Sequence, residues 1–357
     1  MRVVVTGATG NLGTSVLEAL SRDPEIDSIV GLARRVPPLV LRDTSFVAAD
    51  VGKDALAPIF RGADAVIHLA WQLQPSHRPE LLEQTNVRGS ERVFEASVNA
   101  GVPALIYSSS VGAYGGGSKE RCVDESWSRD GIASSLYGRQ KARVERMLDE
   151  LEETSASIRV VRMRPALIFK REAASDIRRL FVGPLVPRIA FDRRLLRVVP
   201  DHPRLRFQAV HSLDVGEAFR LALHRDVRGA FNLAADPILD AESLSALFDA
   251  RRVRVTPGFL RGAVGLAWRM HLLPMAEGWV DLAFGVPLMD SLRAHEELGW
   301  RPMYRADEAL LELVDGLREG AGLDTPPLAP RRGLALARRA DPTSLRGRLL
   351  KPSEARP

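Results

Sequence analysis

Tyr137 and Lys141 stand four residues apart in a stretch whose pattern predicts a helix. Four residues are about one helical turn, so both side chains would lie on the same face. An ammonium group beside a phenol favours the phenolate form and lowers the pKa of the tyrosine. Such a tyrosine can pass a proton to or from a carbonyl oxygen near neutral pH. The same spacing also occurs between unconnected surface residues, so the rest of the chain has to decide between the two interpretations.

A glycine-rich segment near the start of the chain predicts a site for the phosphates of a dinucleotide. Residues 2–6, with three valines in a row, indicate a short buried strand, and a helical pattern follows the segment Thr6-Gly7-Ala8-Thr9-Gly10-Asn11-Leu12-Gly13. Strand, glycine turn and helix in this order are the context that a dinucleotide motif requires. Gly7 would allow the tight turn, Gly10 a close approach to a pyrophosphate, and Gly13 close packing of the helix, whose first N–H groups bind phosphate. An ordinary glycine-rich turn is the alternative.

Strands and helices alternate along the first part of the chain. Strand-like segments cover residues 28–33, 45–49, 65–70 and 104–109, and helical segments cover residues 54–60 and 79–99. This alternation predicts an α/β fold with a Rossmann-type, doubly wound parallel sheet. Ligands of such sheets bind outside the carboxyl ends of the strands. The segment ends therefore predict one shared crevice at Gly7, Ala33, Asp50, Ala70 and Ser110.

The chain resembles the extended short-chain dehydrogenase/reductases, also called the NAD-dependent epimerase/dehydratase family. The resemblance covers about residues 1–316 and rests on motifs that stand in the order usual for the family. These motifs are Thr6 to Gly13, Asp50-Val51, His68-Leu69-Ala70, Asn86-Val87-Arg88-Gly89-Ser90, Tyr107-Ser108-Ser109-Ser110, Tyr114-Gly115, Tyr137 with Lys141, Arg164-Pro165, His211-Ser212-Leu213-Asp214-Val215, Phe231-Asn232-Leu233-Ala234 and Leu298-Gly299-Trp300-Arg301-Pro302.

The resemblance implies a role for each candidate catalytic residue. Tyr137 is the general acid and base, and Lys141 holds the nicotinamide ribose and tunes the tyrosine. Ser110 binds the substrate oxygen, with Ser109 as the second choice, and Asn86 supports the lysine through a water molecule. The alternatives are a strand-end hydroxyl for Ser110 and a helix-face amide for Asn86. The implied cofactor contacts are Gly7, Thr9, Gly10, Asn11, Leu12, Gly13, Arg34, Arg35, Asp50, Val51, Leu69, Ala70, Tyr137, Lys141 and Pro165.

The end of the second strand bears on the choice of cofactor. Members that use NAD usually carry an acidic residue there, which binds the ribose hydroxyls. This chain has Ala33 followed by Arg34 and Arg35. Arginine pairs with a 2′-phosphate that a carboxylate would repel. The sequence therefore favours NADP(H), with NAD(H) possible and two solvated arginines as the alternative interpretation.

Three departures from the family pattern bear on the substrate. Leu167 stands where sugar-nucleotide members usually have asparagine, and Lys170-Arg171 replaces the usual Gly-Pro. Val111-Gly112 replaces the Asp-Glu pair of dehydratases. We therefore expect an NAD(P)-dependent oxidoreductase that acts on a secondary alcohol or ketone as small-molecule substrate. A sugar-nucleotide epimerase with a retained cofactor and a non-catalytic NADP-binding sensor are the alternatives.

The length of 357 residues allows a large domain and a smaller one. We expect a dinucleotide-binding domain over residues 1–165, with a return near 200–240, and a mainly substrate-binding part over residues 166–320. A homodimer is expected by family analogy. Cys122 is the only cysteine, the chain starts directly with a strand, and no apolar run is long enough for a bilayer, so we expect a cytoplasmic protein. The seven histidines show no metal-binding spacing, so no metal is expected.

Residues 321–357 differ from the rest of the chain. They are rich in proline and carry eight basic against three acidic residues, a net charge of +5 that equals the charge of the whole chain. The high isoelectric point therefore belongs to this tail, and no nucleic-acid binding is expected of the catalytic domain. We expect the tail to be disordered, and its partner is unknown.

Overall fold

The computed structural model describes residues 1–74 and 76–330. Within these residues the strands are, in chain order, β1 (Arg2–Thr6), β2 (Ser28–Ala33), β3 (Thr44–Ala48), β4 (Ala65–His68), β5 (Ala104–Ser108), β6 (Cys122–Val123), β7 (Arg159–Pro165), β8 (Leu167–Phe169), β9 (Val198–Asp201), β10 (Phe207–His211), β11 (Gly229–Leu233), β12 (Ala235–Leu239), β13 (Arg251–Arg254) and β14 (Leu288–Met289).

The helices of the same residues are α1 (Asn11–Ser21), α2 (Ala57–Phe60), α3 (Pro79–Glu83), α4 (Gly89–Asn99), α5 (Leu136–Thr154), α6 (Ala174–Ile177), α7 (Ser212–His224), α8 (Ala241–Phe248), α9 (Pro257–Arg269), α10 (Gly278–Gly285) and α11 (Ala306–Glu319). Wider π-helical turns cover Gln84–Arg88, Arg178–Val182 and Ala294–Leu298, and 3-10 turns cover Val111–Ala113, Arg171–Ala173 and Arg188–Phe191. No helix of the described residues is long and apolar enough to cross a membrane.

Seven parallel strands form the central sheet, in the order β3-β2-β1-β4-β5-β7-β11. The order reverses between β1 and β4, and the carboxyl ends of these two strands border the crevice in which such sheets bind ligands. This confirms the Rossmann-type, doubly wound fold that the alternation of elements predicted.

The packing of the core explains why β1 contains three valines in a row. Val3 and Val5 pack into one apolar cluster together with α1 and α7, whereas Val4 packs into a second cluster together with α4 and α5. Helices therefore cover both faces of the sheet, and a strand buried on both faces has no polar side to show in its sequence.

A smaller part of the molecule follows β7. The strands β8, β10 and β12 form a three-stranded sheet, and the pairs β9–β13 and β6–β14 form two short ladders. Helix α11 packs against β10 and β12. The chain returns to the central sheet through α7, which packs on α1, and through β11, which is the edge strand next to β7.

The predicted element bounds differ from the structure mainly near polar or constrained residues. The helical segment expected at 79–99 is interrupted by the π-turn Gln84–Arg88, which contains the candidate residue Asn86. The segment expected at 65–70 is a strand only as far as His68, because Leu69 and Ala70 turn to border the glycine-rich loop.

The prediction of a disordered tail is wrong for residues 321–330. The Leu328 side chain is fully buried, and the Thr325 hydroxyl donates to the carbonyl oxygen of Thr9 at 2.9 Å. Burial of these side chains orders the segment despite its prolines. The basic remainder of the predicted tail, residues 331–357, lies outside the described residues.

Candidate functional site

The glycine-rich loop joins β1 to α1 at the carboxyl edge of the sheet. Gly7 has a φ of +70°, and a Cβ atom there would lie 2.7 Å from the Ala70 nitrogen. A Cβ atom on Gly13 would lie 2.3 Å from the Gly7 oxygen. Gly10 caps α1 without a side-chain hydrogen bond, and the first turn holds no acidic residue. The loop and the helix N-terminus therefore fit a pyrophosphate, which needs free N–H groups and a close backbone.

The side chains after β2 and β3 lie at the same edge. Arg34 and Arg35 follow β2 directly and are exposed. In the orientation of the Gln72 amide in which its nitrogen and its oxygen both find hydrogen-bond partners, the oxygen accepts from Nη2 of Arg34 at 3.2 Å. Asp50 follows β3 and accepts from the Gly52 nitrogen at 2.9 Å.

Two further candidate cofactor contacts lie in buried positions. Val51 is 6% exposed, and Pro165 is buried at the carboxyl end of β7, beside Leu233 of β11. The carboxyl ends of these strands lie at one edge of the parallel sheet, where Pro165 stands three strands away from β1.

His68 has a structural role, because its hydrogen bonds fix the end of β4. Its Nδ1 lies 2.7 Å from the Thr6 hydroxyl and its Nε2 lies 2.9 Å from the Ser90 hydroxyl. Burial, with a smaller effect from the charge of Lys141, lowers the pKa of His68 to about 3. The ring is therefore neutral at physiological pH and ties β4 to β1 and α4, which sets the position of Leu69 and Ala70.

Ser110 and Tyr137 meet at the carboxyl end of β5. Ser110 caps the turn Val111–Ala113, where its Oγ accepts from the Gly112 nitrogen at 3.0 Å. A Cβ atom on Gly112 would lie only 2.6 Å from Cε1 of Tyr137, so glycine at this position admits the tyrosine ring. Burial raises the pKa of Tyr137 to about 12, and a hydrogen bond with Ser110 opposes this rise. At neutral pH the phenol therefore holds its proton.

Lys141 lies one turn after Tyr137 on α5 but does not act on the phenol as expected. Its Nζ donates to the Ser108 oxygen at 2.7 Å and to the Tyr107 hydroxyl at 3.1 Å. The same atom lies 3.6 Å from the centre of the Trp71 ring and 6.0 Å from the centre of the Tyr137 ring. The expected lowering of the Tyr137 pKa by Lys141 is therefore wrong for this structure, in which burial decides the pKa.

The ammonium of Lys141 is itself strongly affected by its surroundings. The side chain is 3% exposed, and burial holds its pKa well below the usual lysine range, with the charge of Glu145 opposing the shift. The Trp71 ring lies over the ammonium group of Lys141, and the two attract each other in a cation–π interaction. Lys141 is thus held at the carboxyl end of β5 by contacts from β5 and from the loop after β4.

Asn86 holds the loop after β4 instead of contacting Lys141. Its Oδ1 accepts from the Gln72 nitrogen at 2.7 Å, and its Nδ2 donates to the Gln72 oxygen at 2.8 Å and to Gln140 at 2.9 Å. Gln140 precedes Lys141 on α5. Asn86 therefore connects the backbone next to Trp71 with the helix that carries Tyr137 and Lys141.

Glu145 continues the same face of α5 inside the protein. Its carboxylate accepts from the Ser109 hydroxyl at 2.6 Å and from Nε and Nη2 of Arg164, both at 2.8 Å. Burial would raise the pKa of Glu145, but the hydrogen bonds and charge of Arg164 outweigh it and lower the pKa to about 2. Ser109 is thus engaged in the core, and Ser110 is the serine that faces Tyr137.

Sequence reasoning missed several residues of this site. Trp71 was only the neighbour of a motif, Glu145 an ordinary residue of a charged helix, and Trp279 part of a segment without a motif. Gly112 was considered only as a departure from the dehydratase pattern. One signal in the sequence could have found Glu145. Tyr137, Lys141 and Glu145 follow each other at intervals of four residues, so all three lie on one face of the helix.

A family model and several known proteins are similar to this chain. The model of the NAD dependent epimerase/dehydratase family matches residues 3–234. An uncharacterized protein of Mycobacterium tuberculosis is 28% identical over 328 residues, which are 90% of this chain and 31% of that protein. The chain therefore spans about a third of the length of this relative.

Shorter similarities reach proteins with named activities. An L-arabinose 1-dehydrogenase (NAD(P)⁺) of Haloferax volcanii is 32% identical over 108 residues, 30% of this chain and 40% of that protein. A UDP-glucose 4-epimerase of Neisseria meningitidis is 26% identical over 177 residues, 46% of this chain and 52% of that protein.

The fold is shared with solved structures of low sequence identity. The UDP-glucose 4-epimerase of Thermotoga maritima, solved with UDP-glucose, gives a TM-score of 0.66 at 22% identity and covers 89% of this chain and 99% of its own. The UDP-glucose 4-epimerase of Stenotrophomonas maltophila, solved with NAD, gives a TM-score of 0.66 at 22% identity over 89% and 98% of the two chains. At this level of sequence identity the structural similarity supports the fold alone.

Proposed function

The chain belongs to the NAD-dependent epimerase/dehydratase family, and we propose that it is an NAD(P)-dependent oxidoreductase that interconverts a secondary alcohol and a ketone. The observation that carries the proposal is the meeting of Ser110 and Tyr137 at the carboxyl end of β5, beside the buried Lys141. The glycine-rich loop, which fits a pyrophosphate, lies at the same edge of the sheet.

The bound nicotinamide would supply or accept the hydride, and the protein would handle the proton. In reduction the carbonyl carbon would gain the hydride and Tyr137 would give its phenolic proton to the carbonyl oxygen, so that the product is the alcohol and Tyr137 is left as the phenolate. Ser110 donates a hydrogen bond to the same oxygen and stabilises the charge that develops there. Because the pKa of Tyr137 is about 12, the phenol starts protonated at neutral pH, which suits the reductive direction.

Several residues would hold the cofactor in this proposal. The loop residues Gly7, Thr9, Gly10, Asn11, Leu12 and Gly13 would face the pyrophosphate. Arg34, Arg35, Asp50 and Val51 would border the adenosine, whereas Leu69, Ala70, Tyr137, Lys141 and Pro165 would border the nicotinamide half. Asn86 would act as a positioning residue, since its hydrogen bonds hold the backbone of Gln72 and the side chain of Gln140.

An epimerase with a retained cofactor is the second candidate, because the relatives include proteins named UDP-glucose 4-epimerases. The two functions differ in the fate of the cofactor. An oxidoreductase purified without cofactor should consume NADPH stoichiometrically when given a ketone, and this can be followed by absorbance. Protein that emerges with tightly bound cofactor and interconverts two sugar nucleotides without net consumption would contradict the proposal.

We also propose a preference for NADPH over NADH. In support, β2 ends in Ala33 without a carboxylate, and the exposed Arg34 and Arg35 follow directly. A charge-assisted pair between an arginine and a 2′-phosphate is worth about 1.5–3 kcal/mol. The variant Arg34→Ala should therefore weaken NADPH binding roughly tenfold or more and leave NADH binding within twofold.

The measurement is a fluorescence titration of the free protein with each cofactor. Arg121→Ala is a matched control, because Arg121 is an exposed arginine outside the candidate site. Tighter binding of NADH than of NADPH by the unaltered protein would refute the proposed preference.

The organisation of the chain is proposed in the same way. Residues 1–165, with the return through α7 and β11, would hold the cofactor, and residues 166–320 would mainly hold the substrate. A homodimer in the cytoplasm remains the expected setting.

A further inference from the structure

Aromatic rings enclose the phenol of Tyr137. The Trp279 ring centre lies 5.0 Å from that of Tyr137, with the two planes inclined by 31°. Trp71 stands edge to face against Tyr137 at 6.0 Å and 81°. Phe181 packs in the same way against Trp279 at 4.9 Å and 86°. Two rings from distant parts of the chain therefore border Tyr137, and Phe181 packs against one of them, Trp279.

Close backbone contacts fix the position of Trp279. Helix α10 packs on the segment that leads into α5, where a Cβ atom on Gly278 would lie 2.7 Å from the Ser134 oxygen. At the other end of α10, a Cβ atom on Gly285 would lie 2.7 Å from Cδ1 of Ile132. Glycine at both ends of α10 therefore lets the helix approach this segment closely, and the close contact fixes the position of Trp279.

The other two rings belong to segments that Gln74 joins. Its Nε2 donates to the Leu180 oxygen at 3.0 Å and to the Pro274 oxygen at 2.7 Å. Leu180 precedes Phe181, and Gln74 follows Trp71 in the loop after β4. One half-buried amide thus links the loop of Trp71, the turn of Phe181 and the segment that leads into α10.

Resting on the proposed function, we infer that the substrate is an apolar, ring-bearing ketone or secondary alcohol. Aromatic walls gain free energy from apolar surface and from ring stacking. The buried Nε1 of Trp71 has no partner among the described residues and would donate to a single oxygen. Further sugar hydroxyls placed against the ring faces would lose their water without a hydrogen-bond partner. The one polar group that the substrate needs there is its carbonyl oxygen, which Ser110 and Tyr137 would bind.

The first experiment compares carbonyl compounds in the presence of NADPH. The panel contains the fused-ring ketone 2-decalone, the small polar ketone dihydroxyacetone, and UDP-glucose as a sugar nucleotide. We expect kcat/KM for 2-decalone to exceed that for dihydroxyacetone by at least about 100-fold, since apolar surface worth several kcal/mol separates the two.

The second experiment changes the aromatic wall. Trp279→Ala should raise KM for 2-decalone by about tenfold or more and leave KM for dihydroxyacetone within threefold, whereas Trp279→Phe should retain most of the affinity. Phe259→Ala is the matched control, because Phe259 lies on α9 with 69% exposure and its loss should change neither constant. Thermal unfolding of each variant shows whether the fold is kept.

Binding and turnover separate the two proposals. Binding of 2-decalone is measured by tryptophan fluorescence on Tyr137→Phe, which keeps the aromatic wall. If 2-decalone binds and Trp279→Ala weakens this binding, the substrate class is supported. If no hydride is transferred to the bound ketone, only the proposed oxidoreductase activity is contradicted. NADPH consumption with UDP-glucose or dihydroxyacetone but not with 2-decalone would overturn the substrate class and leave the oxidoreductase standing. Absence of 2-decalone binding would overturn the inference in either case.

Discussion

Tyr137→Phe should lower turnover by about 10²–10⁴-fold while leaving cofactor affinity within twofold. The substitution removes the hydroxyl that gives its proton to the carbonyl oxygen, and general acid catalysis typically contributes a factor of this size. The ring itself remains, so the packing against Trp71 and Trp279 is kept. Stopped-flow measurement of NADPH oxidation and a fluorescence titration of NADPH give the two quantities.

A tyrosine that stacks on His211 provides the control for this substitution. Tyr304→Phe keeps the ring that stacks on His211 at 4.0 Å and removes only a hydroxyl, so turnover should stay within twofold. Turnover by Tyr137→Phe at more than a tenth of the normal rate would rule out the proposed role of the phenol.

Glu145→Gln should lower the free energy of unfolding by about 3–5 kcal/mol, the usual cost of leaving a buried charge without its partner. Glu145 is 0% and Arg164 is 2% exposed, and glutamine keeps the shape of the side chain but removes its charge. The guanidinium of Arg164 would then keep neutral acceptors, namely one amide oxygen of the new glutamine, the Tyr114 hydroxyl and the Glu125 carbonyl, but no carboxylate to balance its charge. Urea-induced unfolding followed by circular dichroism measures the change.

Glu150→Gln is the matched control, since Glu150 lies on the same helix but is exposed. Its effect should stay within about 0.5 kcal/mol. A loss below 1 kcal/mol for Glu145→Gln would mean that the pair contributes less than its burial implies.

The same residue predicts how stability depends on pH. The pKa of Glu145 is lowered from its ordinary 4.5 to about 2 in the folded protein, so the unfolded chain binds the proton more readily. The contribution of Glu145 to stability is therefore complete above pH 4.5 and is lost as the pH falls towards 2. The Glu145→Gln protein should lack this part of the acid-induced loss.

The large sheet and the phosphate loop were predictable because their signals are local. Val3, Val4 and Val5 form a run that is typical of a strand buried on both faces, and the glycines that follow stand where backbone atoms approach too closely for a side chain. The order of these segments then places their ends at one edge, since parallel strands share a direction. Local pattern was enough to place the glycine-rich loop and the strand ends at one edge of the sheet.

The contacts inside the site were not predictable, because they depend on residues far apart in the chain. The position of Lys141 follows from Trp71, whose neighbouring backbone is held by Asn86. Glu145 belongs to a strongly charged helix and would be expected in solvent, but β7 brings Arg164 to it through the core. The pattern of a single segment does not reveal pairs of residues from different segments. The side chains around Tyr137 could therefore be identified only from the structure.

The hydrogen bond between Thr325 and Thr9 spans 316 positions of the chain. During synthesis the glycine-rich loop leaves the ribosome long before Thr325 exists. The Thr9 carbonyl must therefore find a temporary partner, such as water, until nearly all of the described chain has emerged. A nascent chain halted before residue 325 would carry this loop without its final contact.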